Sequence, residues 1–292
     1  MTYREEQTIV FTDSGLGGLS IMADFYNTIC NIPVELQQLN LVFFNALQAH
    51  NNGYNRMTSM QEKISTFQGA LESIKKLYQP QKIAIACNTL SAIYPNTNFS
   101  KTNQNIFEII SSGKEIIQKH QKTNPETPLF IIATPTTIVS GVYNTKNKRT
   151  FSISGENLAS LIELNSMMPE LHKKIAEILT KIKQHLSENE AFSIFLGCTH
   201  YAYSTEIFKA IANELGLKLY SILDPADHFI IKLLHTLPKK NHDEFDTKIN
   251  LQIGSQAEIL VEEIKTISTL IKAKSPEIAS LLKNYKRLPT TF

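Results

Sequence analysis

Two cysteines in this chain stand in matching surroundings. Ile83-Ala84-Ile85-Ala86 leads into Cys87-Asn88-Thr89, and Ser193-Ile194-Phe195-Leu196-Gly197 leads into Cys198-Thr199-His200. Each half of the chain thus presents an apolar strand, a cysteine, small polar residues and then a helix. A thiol at the carboxyl end of a parallel strand, ahead of a helix, sits where backbone N–H groups converge and the helix end is partially positive. That setting draws a thiol pKa down from about 8.5 toward neutrality. Thiol and thiolate are then both within reach, as an acid/base catalyst requires. A single cysteine of this kind is as readily an inert small hydrophobe, and Cys30 is read that way. Two, one from each half, point to a paired proton-transfer site.

Other residues cluster with these two in the pattern. His200 lies two residues beyond Cys198 and can tune or shuttle its proton, or can simply cap a helix. Asp13-Ser14-Gly15-Leu16-Gly17-Gly18 follows the first expected strand. Its glycines allow close backbone approach to a ligand, and Asp13 is placed to work beside a thiol or to cap the helix from Leu19. The loop is not G-x-G-x-x-G, so a dinucleotide site is disfavoured. Thr134, Thr136 and Thr137 also follow a strand, where hydroxyls and free N–H groups suit a carboxylate. Asn88 and Thr89 offer the same chemistry on the other side.

These residues need strands to carry them. Apolar runs predict strands at Thr8–Thr12, Leu39–Phe44, Ile83–Ala86, Leu129–Ala133, Arg149–Ile153, Phe192–Leu196, Leu217–Leu223 and Asn250–Ile253. Helical patterns fall between most of them, at Leu19–Thr28, Met57–Tyr78, Ile106–His120, Glu156–Leu186, Ser204–Leu215 and Ala226–His235, with a last one at Gln256–Ala273. Strand–helix alternation implies α/β architecture, with parallel sheet covered on both faces and sites at the strands' carboxyl ends. Length favours two domains. The polar stretch Tyr94–Asn105 and the Asp224-Pro225 pair are the expected boundaries. They divide the chain into 1–97 plus 225–292, holding Asp13 and Cys87, and 98–224, holding Cys198 and His200.

Composition removes several classes. Net charge is +2, from 29 basic and 27 acidic residues, without the basic stripe of a nucleic-acid binder. No apolar stretch is long enough for a membrane helix, and the first residues do not read as a signal peptide. Three cysteines without a secretory signal suit a reducing cytoplasm. No C-x-x-C or H-x-x-x-H spacing supports a metal site.

The order D-S-G-x-G-G (Asp13–Gly18), A-C-N-T (Ala86–Thr89), A-T-x-x-T-x-x-S-G-x-Y (Ala133–Tyr143) and G-C-T-H-Y (Gly197–Tyr201) resembles the glutamate racemases of the aspartate/glutamate racemase family. The tail at Leu251-Gln252-Ile253-Gly254-Ser255 is similar as well, so the likeness spans essentially the whole chain. It implies two similar doubly wound parallel-sheet domains facing each other across a cleft, with no metal and no cofactor. It implies Cys87 and Cys198 as bases on opposite faces of a small acidic amino acid, with Asp13 beside the first thiol and His200 beside the second. It implies Ser14, Asn88, Thr89, Thr134, Thr137 and Thr199 as contacts to the amino and carboxylate groups. Glu163 falls, loosely, where these racemases carry a glutamate near the second thiol.

The sequence also departs from that pattern. Where these racemases read Pro-Tyr-Gly in a substrate-contacting loop, this chain has Asn51-Asn52-Gly53, which leaves Asn52 and Gly53 as the contacts. Gly155-Glu156 replaces a Cys-Pro segment, and Ala202 replaces a proline. The expectation is a racemase for glutamate first and aspartate second, acting in the cytoplasm, with a homodimer open as its assembly. A hydrolase using Cys198 as nucleophile and a non-catalytic ligand-binding paralogue are the alternatives.

Overall fold

The computed structural model describes residues 6–49, 53–165, 169–238 and 247–289. Asn51 and Asn52 lie outside these described residues, so the structure does not address the expected Asn52 contact. The strands are β1 (Glu6–Asp13), β2 (Gln38–Asn45), β3 (Lys82–Ile85), β4 (Ile106–Glu108), β5 (Leu129–Ala133), β6 (Thr150–Ser154), β7 (Ala191–Gly197), β8 (Lys218–Leu223), β9 (Lys248–Ser255) and β10 (Lys286–Arg287). The helices are α1 (Leu19–Ile29), α2 (Met60–Tyr78), α3 (Asn88–Ile93), α4 (Phe99–Thr102), α5 (Ile109–Thr123), α6 (Pro135–Ser140), α7 (Leu158–Asn165), α8 (Pro169–Lys183), α9 (Thr205–Glu214), α10 (Ala226–Leu234), α11 (Val261–Lys272) and α12 (Pro276–Leu282).

Two parallel sheets result. One has six strands in the order β10-β9-β2-β1-β3-β4, and the other has four in the order β6-β5-β7-β8. All eight expected strands are present. In the first sheet, β1 is flanked by β2 and β3. Buried residues alternate along β1: Ile9 and Phe11 pack into one core, Val10 into another on the opposite face. That is why its apolar run is nearly continuous. β7 lies between β5 and β8, and Ile194 and Phe195 likewise enter separate cores.

Three details differ from the sequence reading. Ile106–Glu108 lies within the expected second unit, but forms β4 and pairs with β3, so the first sheet continues past the boundary drawn at residue 97. There Glu108 ends the strand and caps α5 by accepting from Ser111 N. The long helix expected over Glu156–Leu186 is two helices, α7 and α8. Pro169, which opens α8, cannot supply the N–H that an uninterrupted helix would need. Lys286–Arg287 adds a short polar edge strand beside β9 that no apolar pattern announces. Among the described residues, no helix is long and apolar enough to cross a membrane.

Candidate active site

The carboxyl ends of β1, β3, β5 and β7 converge on one cavity of about 280 Å³, lined by Asp13, Ser14, Cys87, Asn88, Thr134 and Cys198 among others. β3 ends at Ile85, and Cys87 then caps α3, with Sγ accepting from Leu90 N at 3.5 Å. Ser14 Oγ lies 3.2 Å from the same sulfur. The expected lowering of this thiol's pKa is reversed. Burial pushes the Cys87 thiol well above its ordinary value, the Asp13 carboxylate pushes further, and the hydrogen bonds from Ser14 and Leu90 only partly oppose them. A helix end two turns long is outweighed by removal of water.

Asp13 closes β1 and is fully buried. Its Oδ1 accepts from Gly15 N at 3.1 Å, and its Oδ2 accepts from Thr199 Oγ1 at 2.9 Å. Burial raises its pKa, while His200 and the Thr199 hydrogen bond pull it back.

The second thiol has a different retinue. Cys198 follows β7 and opens a 3-10 turn at Thr199–Ser204 rather than an α-helix, with no N–H bonded to its side chain. Its Sγ lies 3.7 Å from His200 Nδ1. His200 Nε2 meets Glu163 Oε1 at 2.6 Å, and that oxygen also accepts from Leu16 N at 2.8 Å. Burial disfavours charge on His200, but Glu163 and Cys198 together hold its pKa well above the usual imidazole value. The result is a thiol–imidazole–carboxylate chain on one wall and a thiol–hydroxyl–carboxylate cluster on the other.

The glycines of the first loop have a steric cause. A Cβ on Gly17 would come within 2.5 Å of Thr199 Oγ1 and 2.6 Å of His200 Nδ1. Bare backbone there lets the loop of the first thiol press against the residues that follow the second. Gly155, in place of the Cys-Pro segment, serves a similar end: a Cβ would stand 2.3 Å from the Tyr201 hydroxyl, which donates to Gly155 O at 2.9 Å.

The structure brings Asp13, Ser14, Gly53, Cys87, Asn88, Thr89, Thr134, Glu163, Cys198, Thr199 and His200 to the cavity wall. It does not bring Thr137 there. Thr134 caps α6, and its Oγ1 lies 2.9 Å from Thr89 Oγ1 and 3.0 Å from Thr137 Oγ1, so Thr137 stands behind Thr134. Thr136 is also occupied, by Asn55 at 2.9 Å and by Lys63 at 2.7 Å. Thr134 and Thr136 thus fasten the halves together.

Sequence reading missed Arg56, Asn157, Ser160 and Glu263, which also line the cavity. Among the described residues, Arg56 is the only lysine or arginine that does so. It ends a turn in which its N–H donates to Gly53 O at 2.7 Å. Buried Tyr54, whose hydroxyl donates to Ala46 O at 3.2 Å, anchors that turn. Among the described residues, no group of three or more His, Cys, Asp or Glu side chains could hold a metal ion.

Comparison with known proteins fits this arrangement. No family model matches the chain. Glutamate racemase of Buchnera aphidicola subsp. Schizaphis graminum is 26% identical over 233 residues, covering 77% of this chain and 83% of that protein. Glutamate racemase of Clostridium kluyveri is 25% identical over 252 residues, covering 84% and 90%. The crystal structure of glutamate racemase from Francisella tularensis in complex with D-glutamate superposes with a TM-score of 0.67, at 20% identity, over 91% of this chain and 94% of that one. The chain is a divergent relative of the glutamate racemases. The Aquifex pyrophilus glutamate racemase shares the same fold, with a TM-score of 0.61 at 20% identity over 97% of this chain and 96% of its own. The two-sheet α/β architecture is therefore that of glutamate racemases.

Proposed function

We propose that the protein is an amino-acid racemase, an isomerase that inverts the α-carbon of glutamate first and aspartate second, with Cys87 and Cys198 as its two acid/base groups. The observation that carries this reading is that both thiols line one cavity, each with its own proton-handling partner. The α-C–H is a weak acid. One thiolate takes its proton, the electron pair stays on carbon and its carboxylate, and the opposite thiol delivers a proton to the other face. The substrate is unchanged except in hand, and the two sulfurs exchange protonation states. Buried donors beside the thiols stabilise the developing charge. Asn88, Thr89 and Ser14 serve that end, and no cofactor is needed to hold the electron pair.

Cys87, held as a thiol by burial, is the donor in the resting state. Asp13 is its proton partner, and His200, kept charged by Glu163, serves Cys198.

The Cys198–His200–Glu163 chain also suits a nucleophilic hydrolase, but that reading gives Cys87 no task. Proton NMR in D2O with each enantiomer of glutamate and aspartate separates them. Loss of the α-proton signal, with both enantiomers formed from either one, is expected. Hydrolysis products, or no exchange with any of the four, would overturn the proposal.

A further inference from the structure

Asn88 presents an unbalanced set of hydrogen bonds. It is 2% exposed and lines the cavity. Its Oδ1 accepts from the Tyr143 hydroxyl at 2.5 Å. Its Nδ2 has no protein partner among the described residues. A buried amide N–H left unpaired is costly and is rarely tolerated without a use.

Tyr143 comes from the other half of the chain, beyond α6 and the left-handed Gly141. It is 4% exposed, and its ring packs edge-on against Phe195 at 4.9 Å between centroids. The phenol does not line the cavity. Burial also keeps it protonated, with Glu108, Asp224 and Cys87 adding to that effect, so it remains a donor across the working pH range. The phenol could accept as well as donate, but among the described residues Asn88 Oδ1 is the acceptor its proton has, which favours the oxygen end of the amide facing it. Turned the other way, the amide would leave the phenolic proton without its acceptor and would present a carbonyl oxygen to the cavity.

We propose that Tyr143 is a positioning residue: across the domain junction it locks the Asn88 amide with Nδ2 toward the cavity, where it donates to a substrate carboxylate. The inference rests on the racemase reading for the identity of the ligand. It also ties recognition to closure, because the lock forms only when the two halves meet.

The test is a cycle of Tyr143→Phe, Asn88→Ala and the double variant, with KM and kcat measured for D- and L-glutamate. Tyr143→Phe removes the hydroxyl and keeps the ring. It should raise KM roughly tenfold, the loss expected for one buried hydrogen bond to a polar partner, with a smaller change in kcat. On the Asn88→Ala background, Tyr143→Phe should add nothing. Equal losses on both backgrounds would show that Tyr143 acts through general packing, and would overturn the inference. A measurement that does not depend on Tyr143→Phe folding is NMR of 15N-asparagine-labelled wild type. The Asn88 side-chain amide, assigned by its loss in Asn88→Ala, should shift on saturation with D-glutamate, and an unmoved signal would sink the assignment. Wild type that exchanges no α-proton would remove the racemase reading itself. Exchange in wild type with an unaltered Tyr143→Phe would remove only this inference.

Discussion

Thr199, the residue after the second thiol, donates its hydroxyl at 2.9 Å to Asp13, the carboxylate beside the first. The carboxylate beside one thiol is thus tuned from the opposite wall. Thr199→Val keeps the shape and removes the donor. Burial already raises the Asp13 pKa and this hydrogen bond lowers it, so the substitution should raise it further. A carboxylate needed in its ionised form then becomes available only at higher pH. The acid limb of the kcat/KM profile should move upward in pH, with activity at neutrality reduced about tenfold. A limb that does not move would mean that Asp13 does not control that limb.

Cys87 should titrate above the ordinary thiol range, because burial and Asp13 both oppose its thiolate. Alkylation requires the thiolate. In Cys198→Ser, the rate of iodoacetamide labelling at Cys87, followed on its peptide by mass spectrometry, should keep rising beyond pH 9. A midpoint at or below pH 8 would contradict the burial argument.

The two thiols should be separable by hand. Resemblance to glutamate racemases assigns Cys87 to the D enantiomer's proton and Cys198 to the L enantiomer's. Each serine variant should lose full racemisation, because a hydroxyl is far too weak an acid to replace a thiol. Cys198→Ser should still exchange the α-proton of the D substrate in D2O, and Cys87→Ser that of the L substrate. A Cys87→Ser protein that racemises at the wild-type rate would refute the two-base mechanism. Loss from the Cys198 substitution alone would favour the hydrolase.

Glu163 sets the charge on His200. Burial disfavours the imidazolium, and the carboxylate 2.6 Å away sustains it. In Glu163→Gln the imidazolium loses its counter-charge, so His200 should give up its proton at lower pH. Its Cε1–H resonance should titrate at lower pH than in wild type. An unchanged midpoint would show that Cys198, rather than Glu163, is the controlling neighbour.

If the substrate is glutamate, Arg56, which lines the cavity, would read its distal carboxylate. Being exposed, it acts through solvent, which limits an ion pair of this kind to about 1 kcal/mol, or roughly fivefold in affinity. Arg56→Ala should raise KM for glutamate by about that factor and leave kcat near wild type. Inhibition by the neutral analogue glutamine should not weaken. Equal effects on both ligands would assign Arg56 to the turn rather than to selectivity.

The eight longer strands were legible because each carries an apolar run, buried along most of its length in β1, β2, β3, β5 and β7 and only in part in β6, β8 and β9. β4 was not: Ile106-Phe107 continues smoothly into the helical pattern of α5, and only the cap by Glu108 separates them. The cysteines, Asp13 and His200 could be placed at the cavity from strand-end position and from resemblance. The protonation bias of Cys87 could not, because a helix-end argument contains no term for burial. Tyr143 was part of a quoted motif, yet its tie to Asn88 spans 55 positions and exists only once the halves dock. Arg56 was overlooked because its arrival depends on the anchor at Tyr54, a residue that nothing in its local pattern marks as buried.

Gly17 lets the first loop reach within van der Waals contact of Thr199 and His200. The residues flanking each thiol are therefore held partly by the other half, through Thr199 on Asp13 and Leu16 on Glu163, and neither half carries a self-sufficient site. A hybrid joining one half of this chain to the complementary half of a relative would have to match both sides of these contacts. The two halves, similar as they are in plan, can drift in sequence only as a matched pair.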